Sequence, residues 1–365
     1  MTARVVNQLA AERAKRGWTQ AQAAAFGGIS RQSYSAIETG DAVPSTEIAL
    51  RLAEGFGKRV EELFQLPESP ALRVRVRAAS GGGRVGQRVR LVRVGGDEVA
   101  YGVGEGERQL RPADGVVSRL FGGGEVEVRL LPERPDEAVL AVVGCDPAFG
   151  LVAEAMKRER RVEVAWSQLG SRSALEAVAR SEAHVAGTHL RDPSGGGQNT
   201  RWIREILPFP CSRVTFATWE QGIMVGAGNP LAVGGVEDLT NPAVRFLNRE
   251  PGSGSRALLD DRLERAGIAV EQIGGYRTGA RGHMAVAEAI ASGLADAGIG
   301  IQAAGVAYGL DVIPLETERY ELVIPDHYLD LPAVQVLLEI LARPGLRAQV
   351  EALGGYDASG MGGPA

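Results

Sequence analysis

Apolar and polar positions give the chain three successive textures. Over residues 4–66 the apolar positions come in short bursts at helical spacing. Val5, Val6, Leu9 and Arg13 predict a first helix ending near Gly17, and Thr19 to Phe26 predict a second. Thr19 and Gln22 fit a capping box, in which each satisfies an amide that the first turn leaves free. Gly27-Gly28 turns the chain, Ser30 caps a third helix reaching Thr39, and Gly40 stops it. After Pro44, Ser45 caps a fourth helix with Ile48, Leu52 and Phe56 on one face. Val60, Leu63 and Phe64 make a short fifth, and Pro67-Glu68-Ser69-Pro70 reads as a linker.

From residue 67 to 135 the period changes to two. Leu72 to Arg77, Arg88 to Val94 and Glu125 to Leu130 alternate, with Gly81-Gly82-Gly83, Gly95-Gly96 and Gly122-Gly123-Gly124 between the runs. Each run has one apolar and one charged face, which predicts a small antiparallel sheet or partial barrel with one wet face. Its arginines could meet DNA, but a solvated sheet face is the simpler reading, and no chemistry is assigned to this connector.

From residue 136 to 357 apolar strands alternate with helices. Strands are expected at Ala138–Gly144, Val162–Trp166, Ala183–Gly187, Gly222–Val225, Val244–Asn248 and Ile299–Ile301. Helices are expected at Phe149–Arg158, Ser173–Arg180, Arg201–Leu207, Ser255–Ala266, His283–Ala291 and Pro332–Leu341. That order argues for a parallel α/β architecture. Residues 358–365 are small and glycine-rich and read as a frayed tail.

Composition narrows the class. With 365 residues, two or three domains are expected, and 44% hydrophobic with 23% charged residues excludes a largely disordered chain. No apolar stretch is long enough for a membrane helix, and the polar start has no signal-peptide pattern. Two cysteines make no disulfide framework, so a cytoplasmic location is expected. The net charge of −5 is uneven: residues 1–66 carry +1 and residues 70–135 carry +4, while residues 136–365 carry −9. Contact with a polyanion, if any, belongs to the front of the chain.

Two helices joined by a glycine turn and packed by further short helices follow the helix-turn-helix plan. Thr19-Gln20, Gly28-Ile29-Ser30-Arg31-Gln32, Ile37-Glu38-Thr39-Gly40 and Pro44-Ser45 through Val60-Glu61-Glu62-Leu63-Phe64 closely resemble the Cro/repressor-type (XRE) family. Ala23 departs from it, standing where the family usually has a larger residue. The resemblance implies that Ser30 to Thr39 is the recognition helix of an operator-binding head. At its amino end Arg31 can pair with guanine and Gln32 with adenine in the major groove. Gln20, Ser30, Ser33 and Thr39 complete the expected DNA-contacting set, Gln20, Ser33 and Thr39 through phosphates. Taken alone, Arg31 and Gln32 would be a solvated helix start. Tyr34 and Ile37 face the core, and Glu38 bonds within the domain.

In the α/β part, four loops run from strand ends toward helix amino termini. They are Gly144-Cys145-Asp146-Pro147, Gly170-Ser171-Arg172-Ser173, Gly187-Thr188-His189 and Asn248 to Arg256. Glycines admit a ligand to the backbone, serines donate hydrogen bonds and helix termini add positive charge, a combination suited to anions. Ordinary capping is the alternative reading of each serine. The loops, with Ala295-Asp296-Ala297-Gly298-Ile299-Gly300 and Glu318-Arg319-Tyr320-Glu321-Leu322, resemble periplasmic-binding-protein-like domains of type II topology. The resemblance implies two lobes around a ligand cleft, with one chain crossing near Arg213–Thr218 and a return near Ile313–Tyr320. It makes Cys145, Asp146, Ser171, Thr188, Ser253, Gly254, Ser255 and Arg256 candidate ligand-binding residues, with molybdate or tungstate as possible effectors. Asp296 reads as a turn-capping residue.

No P-loop, His-Glu-x-x-His or Gly-x-Ser-x-Gly motif is present. His184 and His189 are five apart on an expected strand, hence on opposite faces and a poor metal pair. Cys145 has the best nucleophile-like position, yet the resemblance makes it a packed or ligand-lining residue. The expectation is a multidomain, non-enzymatic regulator: an all-α helix-turn-helix head (1–66), a linker and β-rich connector (67–135), a two-lobed α/β sensor (136–357) and a flexible tail (358–365). Its expected partners are double-stranded operator DNA, a small anionic effector and a second copy of itself in a homodimer or higher homo-oligomer. No cofactor, metal or membrane is expected. The alternatives are a DNA-binding protein whose α/β domain only dimerises or binds a different metabolite, and an enzyme tethered to DNA.

Overall fold

A computed structural model describes residues 5–65, 72–79, 83–103, 112–132, 138–191 and 199–365. The chain forms two compact units, Met1–Leu72 and Arg73–Ala365. The expected linker 67–70 and the expected boundary near 136 lie outside the described residues. No helix among the described residues is long and apolar enough to cross a membrane.

The first unit contains helices α1 (Leu9–Lys15), α2 (Gln20–Gly27), α3 (Arg31–Glu38), α4 (Thr46–Phe56) and α5 (Val60–Leu63). The capping box forms: Gln22 N donates to Thr19 Oγ1 at 3.3 Å, and Thr19 N donates to Gln22 Oε1 at 2.8 Å. Gly28 ends α2 at φ +64°, where only glycine is unstrained, so α2 and α3 can turn sharply against each other. Leu9, Tyr34, Leu52, Phe56 and Leu63 fill the core. One expectation fails at the start. Val6–Asn7 (β1) is a strand paired with Phe64–Gln65 (β2), so the first helix begins only at Leu9. Asn7 decides this, because its Oδ1 accepts from Leu9 N and its Nδ2 donates to Ile37 O, holding the segment extended.

The second unit opens with a closed barrel of β3 (Arg73–Ala78), β4 (Arg88–Val94), β5 (Asp97–Gly102), β6 (Gly115–Leu120) and β7 (Glu125–Leu130), in the order β3-β5-β4-β6-β7. Val76, Val89, Leu91, Ala100, Val117, Val126 and Val128 fill it. The wet outer face expected of every run holds for β3, where Arg73 and Arg75 are exposed, but not for β4, nor is one found on β5, a strand that the alternation did not single out. There Val92, Val94, Val99 and Tyr101 join the core of the α/β domain that follows.

That domain runs β8 (Ala138–Val143), α6 (Phe149–Arg160), β9 (Val162–Ser167), α7 (Ser171–Ala179), β10 (Val185–Thr188), α8 (Thr200–Ile206), β11 (Cys211–Val225), β12 (Phe246–Arg249), α9 (Gly254–Ala266), β13 (Gly279–Ala280), α10 (His283–Ala291), β14 (Ala297–Ile301), α11 (Gln302–Ala307), β15 (Asp311–Pro325), α12 (Pro332–Leu341), α13 (Pro344–Glu351) and β16 (Tyr356–Asp357). The sheet order is β13-β12-β14-β11-β15-β10-β8-β9, with β16 on β11. Strands β10, β8 and β9 are parallel and carry the first lobe; β14, β12 and β13 are parallel and carry the second. Between them β11 and β15, each 15 residues long, pair antiparallel along their whole length. The sheet is therefore mixed, and these two strands are the expected crossing and return.

The tail expected to fray is ordered. Thr215 N donates to Gly363 O, Gly362 N to Thr215 O and Ala365 N to Arg213 O, while Ala358 and Met361 are fully buried. These backbone groups extend the pairing along the otherwise free part of β11, which offsets the entropy of ordering small residues.

Candidate functional sites

In the helix-turn-helix unit, Ser30 caps α3 by accepting from Ser33 N at 3.0 Å. Arg31, Gln32, Ser33 and Thr39 are exposed, whereas Tyr34 and Ile37 are buried. Glu38 is a structural hub, accepting from Arg13 Nε at 2.7 Å and from Gln20 Nε2 at 2.8 Å. Gln20, expected at a phosphate, thus spends one amide hydrogen inside the fold and keeps another. Thr39 Oγ1 donates toward Ser35 O and Asp41.

In the α/β domain, both lobes and both crossing strands meet at one buried polar cluster. The first lobe contributes Cys145 after β8 and His189 after β10. The second contributes Arg249 at the end of β12, Ser255 on the first turn of α9 and His283 at the start of α10. The crossing strands add Trp219, Gln221, Glu318 and Tyr320. All of these residues are essentially buried. Glycines allow the approach: a Cβ at Gly187 would overlap the Tyr320 hydroxyl, and one at Gly254 would overlap the His189 ring.

Glu318 Oε2 lies 2.7 Å from His189 Nδ1 and also accepts from Gln221. His189 Nε2 lies 3.5 Å from Cys145 Sγ. Burial opposes a charge on this imidazole, but Cys145 and Glu318 outweigh it and push its pKa up to about 10. Arg249 forks onto Glu250 at 2.9 and 3.0 Å and donates through Nη1 to His283 Nδ1 at 2.8 Å. Burial and the Arg249 charge hold the His283 pKa well below the usual range. The ring is therefore neutral, and because Nδ1 accepts from Arg249, Nε2 carries the hydrogen. That nitrogen is buried and has no partner among the described residues.

The donor atoms of Cys145, His189 and His283 lie within 4.8 Å of one another, close enough to hold a metal ion. The chemistry opposes one. His283 Nε2 offers a hydrogen instead of a lone pair, and the Arg249 cation sits beside it. A cluster with this arginine, a raised imidazole pKa and an unused N–H suits an anion better than a cation.

The expected ligand residues divide. Ser171 Oγ accepts from His189 N at 3.1 Å and Ser255 Oγ accepts from Arg249 Nη1 at 3.4 Å, so both border the cluster. Thr188 donates to Asn199, and Ser253 caps α9 by accepting from Arg256 N. Asp146 sits behind Cys145, accepting from Tyr356 OH at 2.7 Å and Ala148 N at 2.8 Å; burial outweighs these bonds and pushes its pKa up to about 7. Arg256 leaves the cluster and stacks over Tyr276 at 4.7 Å. There it lines an open groove with Arg172, Trp202, Ser253 and Asp260. Asp296 does cap a turn, holding Arg245 through backbone and guanidinium. Sequence reasoning missed His189, Trp219, Gln221, His283 and Glu318. Glu318 and His189 stood inside quoted motifs, but His189 was set aside because it was paired with His184 instead of Cys145.

Comparison with known proteins agrees with both halves. Residues 152–342 match the PBP superfamily domain, and residues 9–63 match a helix-turn-helix family. The chain is 33% identical over 189 residues to the uncharacterized protein YvgK of Bacillus subtilis (strain 168), covering 52% of this chain and 61% of that one. It thus spans about three fifths of that relative's length. Over 62 residues it is 37% identical to the uncharacterized HTH-type transcriptional regulator YgzD of Bacillus subtilis (strain 168), covering 17% of this chain and 94% of YgzD. Among solved structures it is similar to the sulfate-binding protein SubI from Mycobacterium tuberculosis H37Rv, at 14% identity and TM-score 0.45, covering 60% and 86% of the two chains. It is also similar to a tungstate ABC transporter protein from Geobacter sulfurreducens, at 13% identity and TM-score 0.45, covering 59% and 98%. The chain belongs to the PBP superfamily and carries that domain behind a helix-turn-helix DNA-binding domain of the XRE type.

Proposed function

We propose that this protein is a cytoplasmic, ligand-responsive transcriptional regulator that binds operator DNA as a homodimer or higher homo-oligomer and senses a small anion. Exposed Arg31 and Gln32 read base edges, and Gln20, Ser30, Ser33 and Thr39 position the head on phosphates. The anion binds where the two lobes meet, with molybdate and tungstate as reference candidates by resemblance. One observation carries the sensing half: fully buried Arg249, beside a neutral His283 whose Nε2–H has no partner among the described residues. The helices α7, α9 and α10 begin at this place, and their amino termini add positive potential.

The test is a DNA titration of the full chain at fixed salt, with and without molybdate, tungstate, sulfate or phosphate. An effective anion changes operator affinity by about 5–150-fold. Arg249→Met is expected to abolish that response and leave DNA binding itself intact. Operator affinity that no anion changes, in protein shown to bind one, would overturn the regulatory reading. Arg31→Ala is expected to cost ~1–3 kcal/mol and relax specificity at one base pair, which separates the DNA half of the proposal from the sensing half.

A further inference from the structure

The buried cluster holds unmet hydrogen-bonding atoms of both kinds. Among the described residues, His283 Nε2 and Trp219 Nε1 have hydrogens without acceptors, while Gln221 Oε1 and Glu318 Oε1 are acceptors without donors. All four side chains are at most 1% exposed. Native interiors rarely leave such atoms unpaired, so four on neighbouring side chains call for a partner. The rings of Trp219 and His283 lie 5.6 Å apart, and His189, which Glu318 holds, lies 5.0 Å from Trp219. These contacts gather the four side chains around His189 and His283.

The two kinds ask for different things. The N–H groups, beside the Arg249 cation, call for ligand oxygens. The amide oxygen of Gln221 can only accept. Glu318 already accepts from Gln221 through Oε2, which faces His189, and its second oxygen lies on the same buried group. A ligand made of acceptors alone would satisfy the nitrogens and set its own oxygens against these two, leaving them desolvated and unpaired. This narrows the small-anion reading on which it rests. We propose that the effector is an anion that also carries a hydrogen-bond donor, such as a protonated oxyanion or a hydroxy acid. Its donor is taken by Glu318 and Gln221, and its oxygens by His283, Trp219 and Arg249.

Matched probes differing by one donor test this in isothermal titration of the full chain at pH 7: phosphate against sulfate, and glycolate against acetate, with molybdate and tungstate as acceptor-only references. The expected result is that at least one donor-bearing member binds tenfold or more tightly than its match and than either reference. Glu318→Gln, near in shape but supplying an amide hydrogen, is expected to shrink that preference at least threefold. Gln221→Met removes the other acceptor and asks the same question should the first variant not fold. Equal or tighter binding of sulfate, acetate, molybdate or tungstate overturns the donor requirement and leaves the anion reading standing. Binding of none of the six overturns both. An unchanged preference in a folded Glu318 or Gln221 variant overturns the assignment of the donor to that residue.

Discussion

Arg90 is a side chain whose removal the structure makes costly outside the ligand cluster. It lies on the outer face of β4, donates through Nη1 to Asp114 Oδ1 at 2.8 Å and pairs through Nη2 with Glu163 on β9. The three side chains are 5, 4 and 10% exposed, so the triad is desolvated where the barrel joins the first lobe. Arg90→Met keeps much of the volume and strands two buried carboxylates facing each other. Removing one partner of a buried pair costs ~3–5 kcal/mol, far more than the pair itself is worth. Lys157, 4.0 Å from Glu163 and half exposed, offers little compensation. At ~2 °C per kcal/mol for a unit of this size, Tm is expected to fall by about 6–10 °C. Urea unfolding followed by tryptophan fluorescence reports on it, since Trp166, Trp202 and Trp219 all lie in this unit. The cause is tested by adding Asp114→Asn and Glu163→Gln to Arg90→Met. Neutralising both carboxylates is expected to return most of the loss. A single variant that loses less than 1 kcal/mol, or a triple variant no more stable than the single, would refute the argument.

Three other outcomes are expected. His184 is buried, and its Nδ1 accepts from Ala141 N at 3.0 Å, a role only the neutral ring can fill; burial brings its pKa down to about 4. Below pH 6.5 the unfolded chain takes the proton first, so its stabilisation is complete above pH 6.5 and declines by up to ~3 kcal/mol as pH falls to 4. Urea unfolding of His184→Gln between pH 7.5 and 4.5 should lack that slope, and parallel curves for the two proteins would contradict it. Gly254→Ala places a methyl against the His189 ring, so the lobes should part at a cost of ~1–3 kcal/mol. Faster hydrogen exchange at residues 254–257 and at His189 is the expected sign, and unchanged exchange would count against it. Deleting residues 358–365 removes three backbone bonds to β11 and buried Met361, with a loss of at least ~2 kcal/mol in urea unfolding. A deletion without effect would mean that the tail contributes nothing.

Local signals carried the first unit well. Caps at Thr19, Ser30 and Ser45 marked three helix starts, because capping is a contact between residues three apart that sequence displays directly. Asn7 was illegible for the opposite reason: its side chain answers to Ile37, thirty residues away. The same limit explains the barrel. Alternation in β4 announced two faces but could not say that the outer one would be covered, so Arg90 read as solvated when it is buried in a triad with Asp114 and Glu163. In the cleft, the glycine and serine loops pointed to the right neighbourhood through backbone chemistry. Of the residues that line it from β11 and β15, Glu318 and Tyr320 lay in a quoted motif without an assigned role, and Trp219 and Gln221 had no local signature. Trp219, Gln221 and Glu318 stand in mixed polar and apolar stretches of long strands, and only the pairing of those strands brings them beside His189 and His283.

The way the cluster is divided between the lobes says what a ligand can do to this domain. Cys145, His189 and Ser171 belong to one side, and Arg249, Ser255 and His283 to the other, with the crossing strands beneath both. A ligand shifts an equilibrium only by the difference in its affinity for the two states. On the proposed reading, with the lobes apart an anion at Arg249 would lose Ser171 and the donors beside His189, and one at the first lobe would lose the arginine. The complete set exists only with the lobes together, so the differential affinity is built into the division itself. The barrel is tied to the first lobe, through Arg90 to Glu163, Tyr101 OH to Glu182 O and Arg77 to Arg180 O. Movement of the second lobe is therefore movement relative to a body that includes the barrel. On the proposed reading, closure of this cleft would move the second lobe relative to the barrel, the kind of change that a regulatory ligand requires of the domain that binds it.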